Sequence, residues 1–326
     1  MQYFKISLII SFLGLLAAYL WGGFNALALT LMLSILEISL SFDNAIINST
    51  ILQKMQIHWQ TRFLTWGIFI SVFLIRILLP ILMITTITHL NILEVFNLAL
   101  KNPGEYSKHL LNAKISISFF GGMFLILVFL KFIFEQKRQT HWLGMIEKRF
   151  NYIGRFRFIE IVVALVLLAV FQEILPLSQR VEAIFGGLSG IMLFILLDAL
   201  IINRKSKHKK VASLKNDGVA NFLYLEILDA SFSLDGIIGA FAITKDIVVI
   251  LLGLSIGAIF VRSLTLFFVN KGSLKKYLYL EHGAHYAIGA LAIIMLMNNF
   301  MHIPDILTGL IGVCFIGLSF ISSIKQ

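Results

Sequence analysis

Ten stretches of this chain are apolar over a length that matches, or nearly matches, the hydrocarbon core of a bilayer, about 30 Å. They run over roughly 5–21, 25–53, 63–86, 115–134, 158–177, 181–202, 219–243, 246–269, 283–300 and 303–323. Backbone polar groups in hydrocarbon must be satisfied within the segment, so stretches of this kind fold as helices. Only 13% of the residues are charged, against about 25% in a soluble domain. The expected fold is therefore all-α, a polytopic transmembrane helical bundle, and not a soluble enzyme with one anchor. The single cysteine, Cys314, excludes an intrachain disulfide and a cysteine-based zinc site.

The basic residues set the topology. With ten spans and the N-terminus inside, twenty Lys and Arg fall on the inner side and five on the outer, with Arg76 and Arg262 inside spans. By the positive-inside rule both termini face the cytoplasm. The net charge of +10 is thus a topology signal. It implies contact with the lipid bilayer, and with anionic lipids at the inner basic loops, rather than nucleic acid. Residues 1–28 have the outline of a signal peptide but read as an uncleaved first span. The outer loop 87–114 reads as a surface loop, with a lid as the alternative. The inner segment 135–157 alternates basic and aromatic residues and reads as an amphipathic helix at the membrane surface.

Two of the apolar stretches carry acids in the same arrangement. The first has Glu37 and Asp43-Asn44 followed by Ala-Ile-Ile; the second has Asp229 and Asp235-Gly236 followed by Ile-Ile, with Glu226 one turn earlier. An ionisable group at the centre of a membrane helix costs about 2.5–3.5 kcal/mol on insertion scales and so marks function. The copies fall on the second and seventh spans. An odd shift means they cross the membrane in opposite directions, as in transporters built from inverted repeats. Arg76 and Arg262 follow on the third and eighth spans. Gly121-Gly122 and Gly289, on the fourth and ninth, suit close helix packing. The expected organisation is two inverted five-helix repeats, 1–178 and 179–326, joined near the basic inner linker 204–215.

On a straight helix Glu37 and Asp43 lie about 120° and about 9 Å apart, and Glu226 and Asp235 on opposite faces. For these acids to share one ligand both motif helices must be broken. Ser39, Ser41, Ser231 and Ser233 would satisfy the freed backbone, and they are the pathway candidates together with Asp198. Glu37, Asp43, Asn44, Glu226, Asp229 and Asp235 form an all-oxygen ligand set, which suits hard divalent cations. Arg76 and Arg262 are counter-charges or gates. The competing structural reading has the acids and arginines simply locking helices together. His282 and His285, near the inner end of the ninth span, could shuttle protons or be plain packed residues.

At these motifs the chain resembles the TerC family of bacterial membrane proteins. The early match is Leu36-Glu37-Ile38 with Asp43-Asn44. The late match runs from Glu226 and Asp229 through Asp235 to Ala242-Ile243-Thr244, and Tyr279 to Gly283 also agree. Gly236 and Gly239 stand where that family has Ser and Pro, and the extra spans resemble its longer branch, known as a domain of unknown function. The resemblance implies a divalent-metal exporter in the bacterial cytoplasmic membrane. No nucleotide-binding loop is present, so an ion gradient would supply energy. The expectation is a secondary transporter, not an enzyme and without a prosthetic group. It would export Mn²⁺, with Ca²⁺ or Mg²⁺ as other candidates and proton antiport as the coupling. The alternatives are a proton-coupled exporter of a small organic cation or amino acid, and a membrane scaffold that supplies metal to partner proteins. The sequence leaves homo-oligomerisation open.

Overall fold

The computed structural model describes residues 4–325 other than 54, 89, 137, 139, 157, 208–217, 272–276 and 302. Among the described residues the chain is helical throughout, with no strand. The elements are α1 (Lys5–Leu40), α2 (Phe42–Leu52), α3 (Ile57–Phe69), a π-helical segment (Ile70–Leu78), α4 (Leu79–Thr88), α5 (Ile92–Lys101), α6 (Pro103–Asn112) and α7 (Lys114–Ile133). There follow α8 (Met145–Ile153), α9 (Ile159–Ile174), α10 (Leu177–Lys207), α11 (Gly218–Ile243), α12 (Ile247–Lys271), α13 (Leu280–Met297) and α14 (Asp305–Ile324).

Among the described residues seven helices are long and apolar enough to cross a membrane, starting at Lys5, Ile57, Lys114, Leu177, Ile247, Leu280 and Leu307. This defines an all-helical membrane protein, and large apolar side chains such as Phe24, Val166 and Phe185 cover its outer surface. Three of the ten expected spans are not among the seven, each for a physical reason. The first two run on as Lys5–Leu40, counted once among the seven, but they are two helical stretches that meet at a kink where Gly22 (φ −142°, ψ 23°) and Gly23 (φ 66°, ψ −154°) leave helical geometry. A side chain is strained at a positive φ such as that of Gly23, and glycine is not. The fifth, α9, has 16 residues, which reach about 24 Å at about 1.5 Å per residue. The seventh, α11, carries Glu226, Asp229 and Asp235 in its length.

Packing is close where glycines allow it. Of the seven candidate spans the most buried is α7, flanked by α10 and α13. Gly186 and Gly190 of α10 lie directly against the Ser116 and Phe120 carbonyls of α7, leaving no room for a β-carbon. Gly122 of α7 meets Leu296 and the Ala292 carbonyl of α13, while Gly289 of α13 meets the Phe129 ring of α7. Helices in lipid associate mainly through such close packing. A second tight pair is α1 with α12, where Gly253 packs on Leu33 and Gly257 on Glu37.

The segment expected as an outer loop is two helices, α5 and α6. Asn91 and Glu94 form a capping box on α5, and the Asn102 side chain accepts from the Glu105 N–H on α6. Val95, Ala99, Tyr106 and Leu110 are buried, and the Tyr106 ring lies 5.5 Å from Phe241 at the end of α11. The segment 135–157, expected as an inner amphipathic helix, contains the nine-residue α8, with Met145, Ile146, Tyr152 and Ile153 exposed. Of the basic linker 204–215, α10 includes 204–207; the remainder lies outside the described residues.

One motif helix is interrupted and the other is not. The backbone leaves helical dihedrals at Ser41 (φ −104°, ψ 14°), between α1 and α2, while its N–H still donates to the Glu37 carbonyl at 3.0 Å and its carbonyl accepts from the Ala45 N–H at 3.2 Å. The expected break within 230–235 is absent: α11 is one helix from Gly218 to Ile243. The correction has a simple cause. Glu226 and Asp229, three residues apart, share a helix face and meet the same arginine, so no unwinding is needed.

Candidate functional site

The Ser41 break turns two consecutive stretches of the first motif toward α11. Glu37, in the last turn of α1, is buried and ion-paired with Arg76 Nη2. The Ser41 hydroxyl donates to Glu37 Oε1 at 3.4 Å. Arg76 projects from the π-helical segment, and its Nη1 donates to the Ser71 carbonyl at 2.8 Å and the Ser71 hydroxyl at 2.9 Å. The extra residue in a π turn lets the guanidinium fold back on Ser71 five positions earlier.

The second motif meets the first across this gap. Asp229 Oδ1 accepts from both Asn44 Nδ2 and Asn48 Nδ2, each at 2.7 Å. Its Oδ2 accepts from Arg262 Nη2 at 3.0 Å. The same Nη2 bonds both Glu226 oxygens at 3.2 Å, while Nη1 donates to the Phe63 carbonyl at 2.6 Å. Gly236 brings α11 close to α1: a β-carbon there would stand 3.0 Å from Glu37 Oε2. Gly67 of α3 likewise leaves the space that Arg262 and Glu226 fill.

Glu37, Ser41, Asn44, Asn48, Ser71, Arg76, Asp229 and Arg262 surround a cavity of about 20 Å³. That is room for one water molecule or one bare ion. Three carboxylates face two guanidiniums, so the ionised cluster is close to neutral. Such pairs offset the desolvation of each partner, and removing either one leaves an uncompensated charge. Among the described residues no three His, Cys, Asp or Glu side chains converge as a metal-binding group.

The other sequence candidates lie elsewhere. Asp43, 4% exposed, sits in the first turn of α2 and lines a separate small cavity with Ser39, Ala287, Thr308, Gly309 and Gly312. Its Oδ1 accepts the Asn44 N–H at 3.0 Å. The Asp235 side chain lies outside the described residues. Ser39 is exposed and bonds the Ile35 carbonyl; Ser231 bonds the Ile227 carbonyl; the buried Ser233 hydroxyl has no partner. Asp198 pairs with Lys131 away from the cavity. Asn48 and Ser71 are site residues that the sequence reading missed. The available signal was Asn48 itself, one helical turn beyond Asn44 on the same face.

A second buried polar cluster anchors the segment 135–157. Glu147 of α8 is 4% exposed and accepts from the Trp142 N–H at 3.0 Å, the Leu143 N–H at 3.3 Å and the Tyr286 hydroxyl at 3.0 Å. His282 Nε2 donates to the Thr140 carbonyl at 3.0 Å and stands 3.5 Å from Glu147. The His285 ring stacks on the Phe132 ring at 3.6 Å, and the Arg138 guanidinium lies over the Phe132 ring at 3.2 Å. Burial lowers the Arg138 pKa from its ordinary value, against the raising effect of Glu135, Glu281 and Glu147. Glu147→Ala strands two backbone N–H groups and a hydroxyl. It is expected to speed amide exchange across 142–153 at least tenfold while exchange in α7 stays unchanged, read by hydrogen–deuterium exchange in detergent.

These features define a class: an all-helical membrane protein whose two acidic motif helices meet at a buried, arginine-paired cluster. Residues 42–326 match the model of a family described as "Protein of unknown function (DUF475)", and the chain belongs to that family. Comparison with curated proteins and with solved structures found no match.

Proposed function

We propose that the protein is a secondary transporter that exports a divalent cation, Mn²⁺ foremost, through the cavity between the two motif helices, in exchange for protons. The observation that carries this reading is the meeting of Asn44 and Asn48 with Asp229 beside Glu37, two buried arginines and a cavity of one ion's size. Charged groups inside a membrane bundle mark ion and proton pathways. The resemblance to the TerC family at the same motifs points to metal export in the bacterial cytoplasmic membrane.

Inverted five-helix repeats, 1–178 and 179–326, fit the way the arginine-bearing helices exchange partners. Gly257, on the Arg262 helix, packs on Glu37 of the first motif; Gly67, on the helix leading to Arg76, packs on Glu226 and Arg262 beside the second. The pair α7 and α13 adds mutual glycine contacts. The relation covers these inner spans and not the outer ones: the start of α1 packs on α12, through Ser7 and Ser263, whereas α10 packs on α7. In this reading the stretches of α1 on either side of the Gly22-Gly23 kink cross the bilayer separately, and α9 and α11 cross as well, giving ten spans with both termini cytoplasmic.

The reading in which the ion pairs only hold the bundle together is favoured by one observation, that every acid of the cluster touches an arginine. Vesicles reconstituted with the full chain separate the two. Transport predicts saturable Mn²⁺ flux with protons moving the opposite way. Flux of Mn²⁺, Ca²⁺ and Mg²⁺ no greater than in protein-free vesicles would leave the structural reading, or an organic-cation exporter, in its place.

A further inference from the structure

The outward face of α8 combines large apolar side chains with positive charge that no neighbouring acid offsets. Residues 140–158 contain one acid, Glu147. Its carboxylate is turned inward, onto the Trp142 and Leu143 N–H groups and the Tyr286 hydroxyl. A helix turns about 100° per residue, so Met145 and Arg149 stand about 160° from Glu147 and Tyr152 about 140°. The exposed face therefore carries Lys148 and Arg149 among Met145, Ile146, Tyr152 and Ile153, with Met145 73% exposed. Arg155 and Phe156 extend it: the Arg155 guanidinium lies 4.3 Å from the Tyr152 ring centre, and Phe156 is 68% exposed. Among the described residues none of these three basic side chains is ion-paired.

This face is held in place from behind. Gly154, just past the end of α8, lies so close to the Phe134 carbonyl at the end of α7 that a β-carbon has no room, and the Phe150 ring lies 6.0 Å from the Phe134 ring. Glu147 ties the helix to Tyr286 of α13. So α8 is clamped near the ends of two candidate spans, the level at which headgroups lie. The apolar surface also continues from it. Five residues after Gly154 the chain enters α9, where Val162, Val166 and Val170 point outward. A fixed helix that shows apolar and basic side chains together suits the boundary between headgroups and acyl chains. Basic residues there attract anionic lipid.

We infer that this face of α8 is a preformed docking surface for anionic phospholipid. Met145, Ile146, Tyr152, Ile153 and Phe156 seat at the top of the acyl chains, while Lys148, Arg149 and Arg155 take the headgroup phosphates. The occupant is the leaflet that already surrounds α9, because a water-soluble partner would have to displace that leaflet to reach the face. The inference stands apart from the transport reading, since it uses neither motif helix.

The measurement is hydrogen–deuterium exchange of the full-length protein in nanodiscs of phosphatidylcholine alone, and of phosphatidylcholine mixed with phosphatidylglycerol of the same acyl chains. Amides of 145–156 are expected to exchange at least fivefold more slowly in the anionic bilayer, with exchange in α7 alike in both. Lys148→Gln, Arg149→Gln and Arg155→Gln combined should remove the difference, and added salt should shrink it by screening. Met145→Ser with Phe156→Ser should speed exchange of the same amides in both bilayers. Equal protection in the two bilayers, which a second copy covering the face would also give, overturns the inference. A difference that survives the combined Gln variant overturns the assignment to these side chains; should that variant fail to insert, a difference unmoved by salt overturns it instead. Unchanged exchange in the Ser variant overturns the apolar seating. Protection gained in neutral nanodiscs from inorganic phosphate overturns the lipid as the source of the anion.

Discussion

Arg262→Ala is expected to destabilise the protein more than any other single change in the cluster. Arg262 is 3% exposed and touches Glu226, Asp229 and the Phe63 carbonyl, with its guanidinium 4.0 Å from the Phe63 ring centre. Its removal leaves two buried carboxylates next to each other with no cation between them. Breaking a buried pair from one side costs roughly 3–5 kcal/mol, because the orphaned charge keeps its full desolvation penalty. The measurement is thermal unfolding in detergent, with the yield of monodisperse protein as a second readout. A rescue is expected as well. Adding Glu226→Gln and Asp229→Asn to Arg262→Ala removes the orphaned charges, so the triple variant should recover most of the lost stability. Contacting residues in one network are non-additive in this way. Losses that simply add would count against the ion-pair account.

Much of this cluster was legible in the sequence, because charge inside an apolar segment has few explanations. Glu37, Glu226, Asp229, Arg76 and Arg262 all stand out on that ground, and all five meet in the structure. The interruption at Ser41 was also legible, from the mismatch between Glu37 and Asp43 on a straight helix, whereas the kink at Gly22-Gly23 showed only as the gap between the first two apolar stretches. The same angular argument failed for α11. It assumed that every acid faces one ligand, whereas Asp43 lines a different cavity and Glu226 needs only Arg262.

What stayed hidden was neutral or distant. Asn48 and Ser71 carry no charge, so nothing in composition separates them from other polar residues in a helix. Glu147 is an acid within a segment that reads as amphipathic, where a solvated charge is the ordinary case. Its burial depends on Tyr286 and His282, more than 130 residues away in the chain. The docking of α5 and α6 depends likewise on Phe241 of α11, although their caps at Asn91 and Asn102 are local signals.

Asp43→Asn is expected to separate function from stability in the opposite sense to Arg262→Ala. The Asp43 carboxylate is buried, and among the described residues no arginine or lysine lines its cavity. Its hydrogen bond comes from the Asn44 N–H at 3.0 Å, which an amide oxygen accepts equally well. The fold therefore makes no use of its charge, and the substitution keeps its shape. Unfolding temperature should stay the same or rise. Under the transport reading, a bare carboxylate between α2, α13 and α14 is retained because the moving ion or its counter-ion needs it. Mn²⁺ flux into vesicles should then fall by at least a hundredfold, about 2.7 kcal/mol in the rate-limiting barrier. Loss of flux with intact stability marks Asp43 as part of the path. Loss of stability would instead show that the charge holds helices together. Unchanged flux would take Asp43 off the path and leave the arginine-paired cavity as the whole of the proposed route.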